Sequence, residues 1–453
     1  MQKDITAVIL AAGNGTRMRS KKPKVLHEIC ETPMLFLIVK EAMKVSEEVV
    51  VVLGYEAELV KAALLAEFKA EFDLGVLKVV KQDLQNFAGT GGAVRAAVGE
   101  ISRKRALVLC GDTPLVKAEE LQKLTDLQNA AASVAAFESA NPFGYGRVIV
   151  KSSKSNLILT GEFDGAQIAE IVEEKEASAE QKKVQICNAG AYCFEAEFLK
   201  NALGELRNDN ASGEFYLTDV VKVALTQERA VRGVKVEERN FLGVNDKAAL
   251  AFAEELMQDE VKEKLMKQGV ILHLPRTIYI SPKAVFEGEC EVESGVVIKG
   301  ACHFKEAIIK SSSVIEESFV ESSDIGPLAH LRAGCVVKNT HIGNFVELKK
   351  AHLNGVKAGH LSYLGDCEIG RGSNVGCGTI TCNYDGVKKH KTLIGENVFI
   401  GSDTQLVAPV KVASNTLIAA GSTVTKDTQE GDLVLSRTKQ TNISGGFYKF
   451  FKR

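Results

Sequence analysis

The sequence predicts an α/β domain built on a mostly parallel sheet, joined by a single helix to a parallel β-helix. Three observations carry this. From Thr6 to about Val244, short β-branched or apolar runs alternate with amphipathic stretches, the pattern of a sheet covered on both faces. Across Lys247–Gln268 the apolar period turns helical. Beyond it, apolar residues recur every six positions, which is neither the helical nor the strand period. A fixed six-residue repeat means one short strand and one turn per repeat, with coil stacked on coil.

In chain order, strands are expected at Ala7–Leu10, Val49–Leu53, Val76–Val80, Ala106–Leu109 and Val134–Phe137, with helices at Met34–Val45, Ala57–Phe68 and Glu119–Asn129 between them. The connecting helix carries Leu250, Ala253, Leu256, Met257, Val261 and Leu265 on one stripe. The six-residue period is clearest in Ile280, Phe286, Val292, Ile298 and Phe304, and again in Ile394, Ile400, Leu406, Val412, Ile418 and Val424. Between these blocks the register slips at Ile325, Leu331 and Val337, then at Ile342 and Leu348, and Asn383–Lys391 reads as an interrupting loop. Glycine follows isoleucine at 325–326, 342–343, 369–370, 394–395 and 400–401, where tight corners are expected to need backbone freedom. The expected domains are 1–247 and 269–453, with a linker helix at 248–268.

A chain of 453 residues allows roughly three domains of about 150 residues, or two larger ones. Its 56 basic and 58 acidic residues nearly cancel, which argues against a nonspecific polyanion binder, so no nucleic-acid partner is expected. Apolar stretches such as Val49–Leu53 fall far short of the roughly 20 residues that span a bilayer. Met1–Asp4 has no charged region leading into a long apolar one, so a cytoplasmic protein is expected. Ten cysteines are too dilute for a disulfide scaffold. Cys377 and Cys382 form the tightest pair, but no second Cys/His cluster completes a set of four metal ligands, so reduced thiols used as small apolar residues are expected.

The first strand ends in Leu10-Ala-Ala-Gly-Asn-Gly-Thr-Arg-Met18, followed by Lys21-Lys-Pro-Lys24. A glycine-rich turn there lets backbone N–H groups approach an anion, and Arg17 and Lys24 add positive charge. A phosphate cradle and a plain strand-to-helix turn with a solvated basic face both fit. The spacing matches neither the P-loop nor G-x-G-x-x-G. Gly89-Thr-Gly-Gly92 is a second small-residue turn, and Cys110-Gly-Asp112 places a carboxylate past the carboxyl end of a buried strand, where ligands of open α/β sheets gather. An isolated carboxylate suits Mg²⁺, and Asp112 also suits a helix N-cap.

With Gly144-Tyr-Gly-Arg147, Ile171-Val-Glu173, Asn188-Ala-Gly190, Gly213-Glu-Phe-Tyr-Leu-Thr-Asp219 and Gly243-Val-Asn245, these motifs resemble the sugar-phosphate nucleotidyltransferases. From end to end the chain resembles the family of bifunctional N-acetylglucosamine-1-phosphate uridyltransferases/glucosamine-1-phosphate acetyltransferases. The resemblance implies a Rossmann-like sheet followed by a left-handed β-helix of hexapeptide repeats, a homotrimer, and a place in peptidoglycan and lipopolysaccharide precursor synthesis. It implies that Leu10, Ala12, Gly13 and Gln82 hold the uracil of UTP and Gly89 and Thr90 the nucleotide, with Ala11 and Gly111 also among the substrate-binding residues. Gly146, Glu173 and Asn188 would hold the acetylated sugar, Asp112 and Asn245 would hold Mg²⁺, and Arg17 and Lys24 would neutralise phosphate charge. The stretch Asp83–Ala88 is longer and less polar than the family usually has before Gly-Thr-Gly.

In the second half, Arg332, Gly343–Lys350, Ala358–Asp366 and Cys382–Gly386 gather a histidine, a glutamate, cations and amides. Acetyl transfer to an amine needs a base, donors for the thioester oxyanion and cations for phosphate. A lone histidine in a coil also suits a structural role, and a β-helix also suits a rigid oligomerisation rod. The resemblance implies His360 as proton acceptor, Arg332, Lys349, Tyr363 and Asn374 around glucosamine-1-phosphate, and Cys377, Asn383, Tyr384, Ser402, Ala420 and Arg437 along acetyl-CoA, the co-substrate. Glu347 is expected to orient His360, and Asn383 to serve the oxyanion. Cys377 stands where the family commonly has alanine, so retained activity with altered thiol sensitivity is expected.

Overall fold

The computed structural model describes residues 4–125, 129–151, 160–210 and 212–451. The chain divides into two compact units, Met1–Met257 and Gln258–Arg453.

In the first unit, nine strands among the described residues form one sheet. Its main path runs Val231–Lys235, Ala132–Glu138, Ile186–Glu195, Arg105–Cys110, Ile5–Ala11, Glu48–Leu53, Leu77–Lys81, and Arg147–Val150 and Ile168–Val172 branch from it. Ile5–Ala11 is parallel to both neighbours, with Ala7 opposite Val49 on one side and Leu107 on the other. Successive side chains point to opposite faces. Ala7 and Ile9 therefore join Val49, Val51, Leu107 and Leu109 against Leu35, Ile38 and Val39 of the helix Met34–Val45. Val8, with Val50, Val52 and Val108, packs instead on Val94, Leu199 and Val220 from helices on the other face. Burial on both sides is why these strands read as unbroken apolar runs.

The sheet departs from parallel at Ile186–Glu195, which runs antiparallel to both neighbours. The polar Asn188 and Gly190 hide this strand in the sequence, because they form a bulge at which the register shifts between Asn188 and Tyr192. The helix expected at Glu119–Asn129 is Ala118–Thr125, and residues 126–128 lie outside the described residues. The predicted connecting helix is Lys247–Lys267. Ala253 packs with Ile29, Met34 and Val244, whereas Leu265 packs with Val270, Ile278 and Ile280.

Among the described residues, the second unit is a stack of three parallel sheets of ten, nine and eight strands, consistent with a left-handed β-helix. Ile280 pairs with Ile298 and Phe286 with Phe304, eighteen residues on, so three hexapeptides make one coil. Ile298 pairs with Ile315 and Ile315 with Leu331, shortening the middle coils to 17 and 16 residues. These shortened corners are the register slips. Val375 pairs with Ile400 after 25 residues, the coil that contains the inserted loop Asn383–Lys391, and Leu406 with Val424 after eighteen again.

The glycines after isoleucine have a different reason from the one expected. Of the five, Gly326 alone has a left-handed φ, of 95°. At Gly343 a Cβ would lie 1.9 Å from the Gly359 carbonyl oxygen, and at Gly401 it would lie 2.4 Å from the Ala420 nitrogen. Close approach of neighbouring coils excludes a side chain there. Many left-handed corners are occupied by larger residues, among them Phe345, Leu361, Asp366 and Asn397.

Candidate active sites

Parallel strands place the first site. Leu10 and Cys110 lie side by side at the carboxyl ends of adjacent strands, and the Gly111 N–H donates to the Leu10 carbonyl at 2.9 Å. A Cβ on Gly111 would meet that oxygen at 2.7 Å, so glycine is what lets the two loops leave the sheet together. Next along the chain, Asp112 Oδ2 accepts from Lys24 Nζ at 2.5 Å, and the two side chains are 25% and 12% exposed. Lys24 Nζ also donates to Asn245 Oδ1 at 3.0 Å, and the same oxygen accepts from Arg17 Nη2 at 2.8 Å. The Val244 N–H donates to the Asp112 carbonyl at 2.8 Å, which ties Asn245 to that loop. Four residues from three distant segments thus meet. Two oxygens converge on one cation, which is the donor set a hard divalent ion takes.

The Gly89 turn is fixed from two sides. The Gly91 N–H donates to the Phe215 carbonyl at 2.7 Å, and Thr90 Oγ1 accepts from the Leu217 N–H at 3.0 Å. Gln82 is buried, and its carboxamide nitrogen donates to the Phe87 and Gly89 carbonyls at 2.8 and 3.0 Å. Gly146, Glu173 and Asn188 come together where the branching strands meet the bulge. A Cβ on Gly146 would lie 3.6 Å from both Asn188 Cβ and Glu173 Oε2. Burial pushes the Glu173 carboxyl above its ordinary range, opposed by a hydrogen bond from Thr218 Oγ1 at 3.3 Å.

In the second unit, Asn344 pairs with His360, and Ala358 pairs with Val375, on one face. The corner after that face stacks His360–Leu361, Cys377, Ser402 and Ala420 on successive coils, as the bonds from Leu361 N to Asn344 O, Gly378 N to Leu361 O, Asp403 N to Cys377 O and Gly421 N to Ser402 O show. Arg437 Cδ lies 3.6 Å from where a Cβ on Gly421 would be. The adjacent face carries a polar ladder. Arg332 pairs with Lys349 and Glu347 with Tyr363. Glu347 accepts from Arg332 at 3.3 Å, Lys349 lies 3.9 Å from Asp366, and Asn383 Nδ2 donates to Asp366 at 2.5 Å and to the Tyr363 hydroxyl at 3.4 Å. In the inserted loop, Lys389 Nζ sits 4.1 Å from the Tyr384 ring centroid.

Residues 7–176 match the family model of the MobA-like NTP transferase domain, and residues 391–426 match the bacterial transferase hexapeptide model of six repeats. Along nearly its whole length the chain is 56% identical to the bifunctional protein GlmU of Campylobacter fetus subsp. fetus, covering 99% of this chain and 98% of the relative. The chain belongs to the bifunctional GlmU family. Its GlmU relatives in Campylobacter curvus and Campylobacter concisus are 53% and 51% identical, each covered over 98% of its length. As a GlmU-family chain it is a bifunctional transferase, with an NTP-transferase domain in the first unit and hexapeptide-transferase repeats in the second.

Within this GlmU framework, four of the expected site residues make contacts that the sequence did not show. Glu347 and His360 stand on different faces of the coil, and no hydrogen bond joins them among the described residues; Arg332 takes the Glu347 carboxylate instead. Asn383, expected at an oxyanion, is buried with its carboxamide nitrogen on Asp366 and Tyr363. Gln82 braces the loop Phe87–Gly89 with its carboxamide nitrogen. Asn374 lies on the His360 face between Lys357 and Phe399, without a hydrogen bond to the Tyr363 ladder among the described residues. Four participants escaped sequence reasoning. Thr218 bonds Glu173 and Tyr192 bonds Asn188, Asp366 centres the ladder, and the Cys110 thiol donates to the Gly190 carbonyl at 3.3 Å. A polar residue four places after Asn188 on an apolar strand was the available signal for Tyr192.

Proposed function

We propose that this chain makes UDP-N-acetylglucosamine in two steps, acetylating glucosamine-1-phosphate in the second unit and then uridylylating the product in the first. The observation that supports the uridylyl step best is the convergence of Arg17, Lys24, Asp112 and Asn245 at the carboxyl end of the parallel strands. A phosphate oxygen of the sugar phosphate attacks the α-phosphorus of UTP, the new P–O bond forms, and the bond to the β-phosphate bridging oxygen breaks to release pyrophosphate. Such chemistry needs positioning and charge neutralisation rather than a covalent enzyme intermediate. Arg17 and Lys24 supply charge. Asp112 and Asn245, whose oxygens already face the Lys24 ammonium, are suited to hold Mg²⁺, which when bound neutralises phosphate charge. Leu10 to Gly13, Gln82, Gly89, Thr90 and Gly111 form the nucleotide side, and Gly146, Glu173 and Asn188 the sugar side.

For acetyl transfer, the sugar amine attacks the thioester carbonyl, the C–N bond forms, the C–S bond breaks and CoA leaves as thiol. His360 accepts the amine proton as general base, and a proton passes to the departing CoA sulfur. Arg332 and Lys349 carry the charge for the sugar phosphate beside Tyr363, and Asn374 approaches the sugar from the His360 face. Cys377, Ser402, Ala420 and Arg437 line one corner beside His360, which supports an extended acetyl-CoA track, to which we also assign Asn383 and Tyr384. A cytoplasmic homotrimer accords with the family reading, and no helix among the described residues is long and apolar enough to cross a membrane. The test is a coupled reaction from glucosamine-1-phosphate, acetyl-CoA, UTP and Mg²⁺, followed for both CoA and pyrophosphate. Pyrophosphate release from N-acetylglucosamine-1-phosphate and UTP, without CoA release from glucosamine-1-phosphate, would leave the β-helix a structural rod.

A further inference from the structure

The bulge in Ile186–Glu195 is built around one side chain. Asn188 pairs with Ala136 and Tyr192 with Val134, so four residues on one strand span two on the other. Within it, Gly190 has φ 71°, its N–H donates to Asn188 Oδ1 at 3.1 Å, and its carbonyl accepts from the Cys110 thiol at 3.3 Å. Asn188 Nδ2 donates to the Tyr192 hydroxyl at 2.6 Å. A backbone N–H can only donate, so the carboxamide oxygen must face Gly190 and its nitrogen must face Tyr192. The phenol accepts this bond. Tyr192 is 4% exposed, and its ring stacks on Phe194 at 5.7 Å and 20°. Burial raises its ionisation far above the ordinary phenol range, so it stays a neutral acceptor. Gly146 lies close to both neighbours, since a Cβ on it would be 3.6 Å from Asn188 Cβ and from Glu173 Oε2.

We propose that Tyr192 is a positioning residue for sugar recognition: its buried hydroxyl holds the Asn188 carboxamide in one orientation, and with it the preference for an N-acetylated sugar phosphate. This rests on the reading of Asn188 as a contact of the acetylated sugar. With oxygen and nitrogen each tethered once, the carboxamide keeps one N–H and one lone pair for a ligand, in fixed places. Without the hydroxyl the group can rotate.

Steady-state kinetics of pyrophosphate release on the full-length protein test this with Tyr192→Phe, Asn188→Ala and the double variant, each checked for folding by its thermal midpoint. Tyr192→Phe keeps the stacked ring. It is expected to raise KM for N-acetylglucosamine-1-phosphate about three- to tenfold, the loss of one hydrogen bond, with kcat and the KM for UTP within about twofold. It should also narrow the preference over glucose-1-phosphate. In the Asn188→Ala background the same substitution should add nothing, because its effect runs through Asn188. An unchanged sugar-phosphate KM in Tyr192→Phe, or an effect that persists undiminished without Asn188, would overturn the proposal. An unchanged KM in Asn188→Ala itself would instead defeat the underlying reading of Asn188, and the proposal with it.

Discussion

Glu173 shows how a site side chain works against the fold that holds it. Its carboxyl is raised by burial, so it ionises less readily folded than unfolded. Such a group leaves stability untouched below its unfolded value, near about 4.3, and withdraws stability as pH rises from there through the folded value. Glu173→Gln removes the charge. The thermal midpoint of the variant should exceed that of the natural protein by a margin that opens above about pH 4 and becomes constant at higher pH, while its KM for N-acetylglucosamine-1-phosphate rises. An equal midpoint difference at every pH would show that charge is not the cause. At this scale the sequence was informative wherever a role follows from residue type and place on the chain. Arg17, Lys24, Asp112 and Asn245 were all visible in motifs, and the structure joins them. Thr218 and Asp366 lay in motifs without a role, and Tyr192 lay in none, because each acts through a partner 45, 17 or 4 residues away whose approach only the folded chain defines.

Elements carry two further tests. The six-residue apolar period made the coils legible, but the closeness of neighbouring coils was not, and it decides what the corner glycines do. At Gly343 a methyl would collide with the Gly359 carbonyl of the next coil, so Gly343→Ala should destabilise the second unit by about 1–3 kcal/mol or more. Gly204, near the end of the helix Ala196–Glu205, has open space around it, and Gly204→Ala should instead stabilise by about 0.4–1 kcal/mol. Urea denaturation of the two variants measures both signs. The inserted loop was legible only as a break in the repeat. Its internal order comes from Asp385, which accepts from the Val387 and Lys388 N–H groups at 2.7 and 2.6 Å and bonds His390 at 2.6 Å. These bonds, the Lys388 N–H foremost, hold the Asp385 carboxyl well below the usual carboxylate range. Its contribution is therefore present above the unfolded value, near about 3.9, and is lost as pH falls below it. Asp385→Ala should speed amide exchange at Val387 and Lys388 and raise the KM for acetyl-CoA, with pyrophosphate release unchanged.

At the scale of the whole molecule, two architectures with different periods carry two sets of chemistry. The change of period near residue 270 showed both in the sequence, because a covered sheet and a stacked coil impose different spacings on apolar residues. The antiparallel strand Ile186–Glu195 escaped, since its bulge breaks the apolar run between Asn188 and Tyr192. Each unit has its own core, and the cluster of Arg17, Lys24, Asp112 and Asn245 and the corner at His360 belong to different units. The central claim is that the two reactions use separate sites. The most direct measurement follows CoA release and pyrophosphate release separately in folded Asp112→Ala and His360→Ala proteins, each given its own substrate. Asp112→Ala should abolish pyrophosphate release and leave CoA release intact, and His360→Ala should do the reverse. Loss of both activities in either folded variant would contradict the account.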